Sequence, residues 1–205
     1  MRVLSIFDCS NKIRDAFRNH SCKASSLDMN PGYKNTKVDY ITNILDFDYQ
    51  AHKPNKFNFL FIALPCQVYS IASGAFHFKN NIPKTTTAIT HINILIKVYQ
   101  ITQYFNCPFI IENPSGGLIN NSIFKSFFKL EVTRVSLKSF GYPTQKKTDL
   151  FHNFDWLFIS NPVHRVNGKY QAQLLDNMTY RQRVTYPDAF VSQLVQSIIN
   201  HFNSI

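Results

Sequence analysis

The sequence predicts an α/β fold in which a mostly parallel sheet is covered by helices on both faces. Apolar runs such as residues 59–63 and 109–111 lack the polar alternation of a half-exposed strand, so both of their faces should be buried. Segments with helical periodicity lie between such runs, an order that is typical of parallel β-α-β units. The 205 residues, 44% of them apolar, are enough for one domain spanning residues 1–205.

The N-terminal elements predict the opening of a nucleotide-binding unit. Residues 2–7 form a β-branched and apolar run that predicts a first strand, and residues 12–20 place apolar side chains at helical spacing. A strand, a tight turn and a helix in this order are typical of nucleotide-binding folds. Residues 23–27 predict a second strand ending at Asp28, whose carboxylate can accept hydrogen bonds from both hydroxyls of a ribose. A solvated turn residue is the alternative interpretation of Asp28.

The next two predicted strands carry further polar groups at their ends. Residues 40–49 predict a third short strand and its turn, in which Asn43 is suited to meet an adenine amino group. Residues 57–63 predict a fourth strand, and Cys66 follows it at the sheet edge where open α/β folds bind ligands. Pro65 fixes the backbone before the thiol. A buried structural cysteine is the alternative, because free cysteine is among the most buried residue types.

A second polar cluster follows the fifth predicted strand. Residues 75–87 are polar and lack periodicity, which predicts a mobile loop, and residues 88–105 predict a long amphipathic helix. Residues 109–111 then predict a strand that runs into Glu112 and Asn113. Burial at such a position raises the pKa of a glutamate. A single helical crossover makes the fourth and fifth strands parallel and adjacent, so Cys66 and Glu112 should face one cleft.

Charge and cysteine content limit the classes of function. The net charge of +10 favours a polyanionic partner, although a generally basic protein would have the same charge. The four cysteines form no Cys-x-x-Cys pair and no cluster with the histidines, so we expect no metal site and a reducing compartment. No run of about 18 apolar residues and no signal peptide is evident. We therefore expect a soluble intracellular protein that makes no membrane contact.

Two motifs identify a family resemblance. The run Leu64-Pro65-Cys66-Gln67-Val68-Tyr69-Ser70, with Glu112-Asn113-Pro114 on the next strand, resembles the catalytic motif pair of DNA (cytosine-5) methyltransferases, particularly their small phage-type and virus-type members. Residues 4–7, 27–28, 44–49, 140–143 and 146–149 follow in that family's order. The likeness spans residues 1–155, and residues 181–202 suit the family's C-terminal end. It implies a Rossmann-like S-adenosylmethionine-dependent methyltransferase fold.

The resemblance implies a role for each catalytic residue. The Cys66 thiolate adds to C6 of cytosine and so increases the electron density on C5. A protonated Glu112 holds N3 of the ring as charge develops there. Asn113 fixes the loop geometry, and Lys147 helps to bind the flipped nucleotide. We expect the basic cleft to lower the pKa of the Cys66 thiol.

The resemblance also implies a cofactor, S-adenosylmethionine, across the first strand ends. Phe7 is expected against the adenine and Asp28 on the ribose. The remaining residues expected at this pocket are Cys9, Asn11, Asn43 and Pro65. The family has Gly-x-Gly where this chain has Cys9 and Asn11, and it usually has an aspartate in place of Asn43. Asparagine tolerates a positive φ, whereas a cysteine Cβ enters the space the cofactor would fill, so cofactor binding is the uncertain part of the resemblance.

The resemblance implies that the substrate is DNA in which the target cytosine is flipped out of the duplex. The residues expected to contact nucleic acid are Gln67, Ser70, Lys79, Lys84 and Lys147, with the 75–87 loop closing over the base. Only residues 152–180 are left for a target-recognition region. Sequence specificity must then be slight, or a protein partner must supply it.

Three functions are compatible with these motifs. The first is an active S-adenosylmethionine-dependent DNA cytosine-5 methyltransferase, because Cys66, Glu112 and Asn113 are all present. The second is a catalytically inactive relative kept as a nucleic-acid-binding or structural component, because Cys9 and Asn11 replace glycines. The third is methylation of RNA cytosine or of an amino group. The run at residues 64–66 does not match the motif expected of an amino-methyltransferase.

Overall fold

The computed structural model describes residues 1–31, 37–155, 157, 159 and 185–204. The strands are β1 Arg2–Ile6, β2 Lys23–Asp28, β3 Tyr40–Ile41, β4 Phe59–Ala63, β5 Phe78–Lys79, β6 Ile82–Pro83, β7 Phe109–Pro114, β8 Glu131–Ser136 and β9 Lys147–His152. The helices are α1 Lys12–Asn19, α2 Ile71–His77, α3 Thr86–Phe105, α4 Ser122–Phe127 and α5 Asp188–Asn203. Short 3₁₀ turns cover Tyr49–Ala51, Leu118–Asn120 and Leu137–Phe140.

A seven-stranded sheet in the order β3-β2-β1-β4-β7-β9-β8 forms the centre of the molecule. Strands β3, β2, β1, β4 and β7 pair in parallel, and β9 runs antiparallel to both of its neighbours. The strand order reverses between β1 and β4, because the chain first builds outward to β2 and β3 and then returns to add β4 and β7. Ligands of open α/β sheets bind at such a switch point, beyond the carboxyl ends of the strands.

Side chains on the central strands alternate between two buried layers. Leu60 and Ile62 of β4 pack into the cluster that includes α3 and α4. Phe59 and Phe61 pack into the opposite cluster, which includes α1 and α5. This alternation follows from the two-residue period of a strand and explains why the central strands are apolar throughout. The predicted fold, a mostly parallel sheet with helices on both faces, is confirmed.

One prediction from a local sequence pattern is corrected and another is confirmed. Residues 75–87 are not an irregular loop, because α2 continues into them and the β5–β6 hairpin and the start of α3 follow. Asn80 and Asn81 form the hairpin turn with φ of 51° and 64°, a conformation that asparagine adopts more readily than most residues. The predicted third short strand and its turn are present, because β3 covers Tyr40–Ile41 and turns and irregular chain lead to the 3₁₀ turn at Tyr49–Ala51.

The predictions for the C-terminal residues fall only partly within the residues that the structure describes. The closing helix is present as α5, directly after Pro187. The predicted target-recognition stretch, residues 152–180, lies outside the described residues except for 152–155, 157 and 159. Among the residues that the structure describes, no helix is long and apolar enough to cross a membrane.

Candidate active site

The carboxyl ends of β4 and β7 bring the two predicted catalytic groups to the same edge of the sheet. Ala63 of β4 pairs directly with Glu112 of β7, and Cys66 follows β4 in the next loop. The thiol lies close enough for the charge of Glu112 to affect its ionisation. The parallel, adjacent arrangement expected from a single helical crossover is therefore present.

Two contacts hold the loops after these strands together. The Asn113 side chain is fully buried, and its Nδ2 donates a hydrogen bond to the Leu64 carbonyl oxygen at 2.8 Å. At Gly117, a Cβ atom would lie 1.3 Å from the Tyr69 carbonyl oxygen, so no other residue fits there without moving the backbone. The Asn113 hydrogen bond joins the end of β7 to the loop after β4, as its expected role in fixing the loop geometry would require. Gly117 was not identified from the sequence.

Glu112 is buried with its two carboxyl oxygens in different environments. The side chain is 5% exposed, and Oε2 accepts a hydrogen bond from the Tyr186 hydroxyl at 2.7 Å. Oε1 is buried and has no hydrogen-bond partner among the residues that the structure describes. Burial raises the pKa of Glu112 above its ordinary value, although the charge of Lys146 and the Tyr186 hydrogen bond act in the other direction. A neutral carboxyl group that can donate a hydrogen bond is the expected result.

The environment of Cys66 differs from the prediction. Burial raises the pKa of the Cys66 thiol, the negative charge of Glu112 raises it further, and the charge of Lys146 lowers it. The expectation that a basic cleft lowers this pKa is wrong, because desolvation disfavours the thiolate more than the single lysine favours it. The thiol therefore has to lose its proton inside the site.

Lys146 is the lysine whose charge reaches the candidate site. It lowers the pKa of both Cys66 and Glu112, and its Nζ lies 5.7 Å from the centre of the Tyr142 ring. Lys147, the residue expected in this role, is exposed and pairs with Ser136 on the edge strand β8. Successive strand residues point to opposite faces, which explains why the two lysines have different surroundings.

The loop between Cys66 and α2 is held by its own side chains. Gln67 Oε1 lies 3.1 Å from Nε2 of His91 in α3. Ser70 caps α2, because its hydroxyl accepts a hydrogen bond from the Ser73 amide at 3.3 Å. Burial lowers the pKa of His91. Gln67 and Ser70, both expected to contact DNA, thus already have partners within the protein.

The two lysines expected to contact phosphate lie on the hairpin beside this loop. Lys79 is exposed on β5. Lys84 is exposed directly after β6, and its Nζ donates a hydrogen bond to the Ala75 carbonyl oxygen at 3.1 Å. Phe76, at the end of α2, is 68% exposed. The hairpin thus presents positive charge to solvent, and the end of α2 beside it presents one aromatic ring.

The turn between β1 and α1 contains no glycine, yet two of its residues adopt the positive φ that favours glycine. Positive φ values occur at Phe7 (62°) and Asn11 (58°), not at Cys9. Phe7 is half-buried and packs against the core. Asn11 is fully buried, and within the described part of the chain neither its Oδ1 nor its Nδ2 has a hydrogen-bond partner. The expectation that asparagine adopts the glycine conformation here is confirmed.

Asp8 occupies the centre of this turn and was not identified from the sequence. Its Oδ2 accepts hydrogen bonds from the Ser5 hydroxyl at 2.9 Å and from the Arg14 amide at 3.1 Å. Its Oδ1 accepts one from the Ser10 hydroxyl at 3.1 Å. Burial raises the pKa of Asp8, and these hydrogen bonds oppose the rise. Because Arg14 belongs to the first turn of α1, Asp8 fills the position at which a helix N-terminus attracts an anion.

Asp28 and Asn43 accept hydrogen bonds from their own loops. Asp28 Oδ1 accepts from the Asn30 amide at 2.8 Å, and the backbone amides of Cys9 and Met29 also stabilise its charge. Burial nevertheless raises the pKa of Asp28. Asn43 Oδ1 accepts from the Leu45 amide at 3.0 Å. Asp28 thus links the β1–α1 turn to the end of β2, which is the position expected of a ribose-binding acid.

The β8–β9 edge of the sheet adds a buried carboxylate near the loop after β7. Asp149 accepts hydrogen bonds from Arg134 Nε at 2.6 Å and from the Ser115 hydroxyl at 2.6 Å. These contacts anchor the residue that follows Pro114. No group of three or more His, Cys, Asp or Glu side chains within the described ranges is arranged to hold a metal ion.

Comparison with solved structures finds this fold among methyltransferases. The Entamoeba histolytica methyltransferase EhMeth is similar with a TM-score of 0.57 and 16% identity, over 82% of this chain and 57% of that one. The S. pombe Dnmt2 methyltransferase is similar with a TM-score of 0.53 and 13% identity, over 77% of this chain and 53% of that one. This chain therefore spans little more than half the length of these proteins. No family model and no curated protein matches the sequence.

Proposed function

We propose that this chain, which has the Rossmann-like fold of S-adenosylmethionine-dependent methyltransferases, is a DNA cytosine-5 methyltransferase that acts through a covalent Cys66 adduct. The observation that carries the proposal is the convergence of Cys66 and Glu112. One is a nucleophile and the other a buried acid with an unpartnered oxygen, and both lie at the carboxyl ends of adjacent parallel strands. DNA is the proposed partner, in accord with the net charge of +10.

The first chemical step uses Cys66 and Glu112 together. The thiol gives its proton to solvent water, the sulfur forms a bond to C6 of the flipped cytosine, and the ring electrons move toward N3 and C5. Glu112 in its neutral form donates a hydrogen bond to N3 and stabilises this charge. A neutral Glu112 also no longer opposes the thiolate, so Cys66 faces the favourable charge of Lys146 without a competing carboxylate.

The remaining residues position these two groups and the DNA. Asn113 and Gly117 hold the two loops in contact. Lys146 takes the role that the resemblance gave to Lys147, because its charge reaches both catalytic groups. Lys79 and Lys84 on the hairpin contact the phosphate backbone, which positions the duplex without reading its sequence. A protein partner supplies sequence specificity if the chain has any.

The residues at the first strand ends fit S-adenosylmethionine, with one conflict. Asp28 provides a carboxylate for the ribose and Phe7 a ring for the adenine. The two buried amide atoms of Asn11 need polar partners, which the polar end of the cofactor would supply. When bound, the cofactor supplies the methyl group that reaches C5. The conflict is Asp8, whose carboxylate already occupies the N-terminus of α1.

Asp8 is also the observation that favours a second candidate function, a catalytically inactive nucleic-acid-binding relative. In that case the turn has lost its cofactor and Asp8 takes the place of the ligand's anionic group. A calorimetric titration with S-adenosylmethionine separates the two candidates. We expect a dissociation constant below millimolar for the enzyme, and a weaker one would favour the inactive relative.

The direct test is covalent trapping on DNA that contains 5-fluorocytosine, in the presence of S-adenosylmethionine. Fluorine at C5 prevents the elimination that releases the enzyme, so an active protein stays attached. We expect the adduct with the wild-type protein and with Cys22→Ala, a thiol control just before the amino end of β2, away from the carboxyl ends of the strands. Cys66→Ala should reduce it to background. An adduct that survives Cys66→Ala would remove Cys66 from the mechanism.

A further inference from the structure

Tyr186 was not identified from the sequence as a site residue, yet its hydroxyl reaches the candidate active site. The side chain is buried, and Oη donates a hydrogen bond to Glu112 Oε2 at 2.7 Å. The ring lies edge-on to Phe61 of β4 with centres 6.1 Å apart, and it also contacts Phe190 of α5 at 5.7 Å. These contacts leave the hydroxyl little freedom to turn away from the carboxyl group.

The backbone of Tyr186 is held as firmly as its ring. Its carbonyl oxygen accepts a hydrogen bond from Lys12 Nζ at 3.0 Å, and the same ammonium group pairs with Asp188 at 2.6 Å. Helix α1 and the start of α5 thus fix the residue from two sides. The segment before α5 therefore contributes a polar group to a site otherwise built from β4 and β7.

The hydrogen bond makes the two oxygens of Glu112 chemically different. Oε2 accepts from the tyrosine, whereas Oε1 is buried and no described residue forms a hydrogen bond with it. A neutral carboxyl group carries its proton on one oxygen, and the other oxygen is the stronger acceptor. With the phenol donating to Oε2, the proton belongs on Oε1. The oxygen that has no protein partner is then the one that donates.

We propose that Tyr186 is a positioning residue that keeps the acidic proton of Glu112 on Oε1, the oxygen available to the bound base. The identity of that base as cytosine rests on the proposed function. A tyrosine that only filled space would make the same ring contacts but would need no hydroxyl. Glu112 without the phenol would share its proton between both oxygens and would present a donor to the base only part of the time.

Tyr186→Phe keeps the ring and removes only the hydroxyl. We expect the rate of adduct formation on 5-fluorocytosine DNA to fall about tenfold, the loss of one hydrogen bond to an ionisable group. The phenol stabilises the ionised carboxylate, so its removal should also shift the alkaline limb of the pH–rate profile to higher pH. Tyr104→Phe, which loses a 2.6 Å hydrogen bond to the His52 carbonyl oxygen, should change neither quantity.

Infrared spectroscopy tests the assignment without any reaction. The carbonyl stretch of protonated Glu112 is identified as the band that disappears in Glu112→Gln. In the wild-type protein this band should lie at the lower frequency of a hydrogen-bonded carbonyl, and in Tyr186→Phe it should move to higher frequency. A wild-type band at the frequency of a free carbonyl, or one that does not move in the variant, would overturn the proposal. If no adduct forms in wild type, the proposed function fails, and the band alone decides the role of Tyr186.

Discussion

The two halves of the cleft differ in how their polar groups are satisfied. At the ends of β4 and β7, Glu112 Oε1 and Asn113 Oδ1 are buried and have no partner in the described ranges of the chain. At the ends of β1 and β2, Asp8 and Asp28 each accept several hydrogen bonds from the protein itself. Because buried polar groups rarely stay unpaired, the first half has donors and acceptors to offer a ligand and the second has largely used its own.

This difference separates binding of the base from binding of the cofactor, two properties that the family resemblance implies together. The proposed cytosine side, at β4 and β7, retains the groups that the proposed addition step needs, whereas the proposed cofactor side, at β1 and β2, has an aspartate where a helix N-terminus would otherwise attract the ligand. Asn11 is the exception on the cofactor side, since its buried amide lacks partners. The comparison therefore predicts that changes on the two sides will affect different measured quantities.

The largest expected effect is that of Glu112→Gln, which removes the acidic proton and keeps the size of the side chain. The rate of adduct formation at saturating S-adenosylmethionine should fall by about 10²–10³, the usual loss when one group that stabilises developing charge is removed. Asp28→Asn, the matched change on the cofactor side, should instead raise the half-saturating cofactor concentration and leave the saturated rate unchanged. Equal losses of saturated rate in both variants would contradict the division.

An intermediate effect is expected from Asp8→Ala, which frees the first turn of α1 for an anionic ligand group. S-adenosylmethionine should bind about fivefold more tightly by calorimetry, since a charge at a helix N-terminus is worth about 1 kcal/mol. The free energy of unfolding should decrease by about 1 kcal/mol, because the Arg14 amide loses its acceptor. Ser10→Ala, which removes one hydrogen bond to Asp8 and keeps its charge, serves as the control. Weaker binding by Asp8→Ala would show that this carboxylate helps to hold the cofactor.

The smallest expected effect is on the pH dependence of stability. The pKa of Glu112 is raised in the folded protein above its ordinary 4.5, so the folded state binds this proton more tightly than the unfolded state does. Its contribution to stability is complete below pH 4.5 and is lost as the pH rises through the folded pKa. Glu112→Gln should therefore show a flatter decline in chemical denaturation, while Glu131→Gln on the exposed edge strand keeps the wild-type decline. A steeper decline in Glu112→Gln would reverse the assigned direction.

Local sequence patterns were sufficient for the framework of the site. The apolar runs at β4 and β7 indicated strands buried on both faces, and the one helix predicted between them required parallel neighbours. These features depend on period and length, which are properties of a short stretch of chain. The same kind of reasoning failed for residues 75–87, where α2 and a two-stranded hairpin form from a stretch that lacks a clear period.

The sequence by itself determined the layered α/β architecture and the meeting of Cys66 with Glu112, because strand order and crossover hand follow from the succession of elements. Only the tertiary structure decided that Lys146 rather than Lys147 reaches the thiol, that the pKa of Cys66 is raised, and that Tyr186 contacts Glu112. Tyr186 and Glu112 are far apart in the chain and meet through the packing of α5 on the sheet. Desolvation and hydrogen bonding depend on such distant neighbours, which no local pattern specifies.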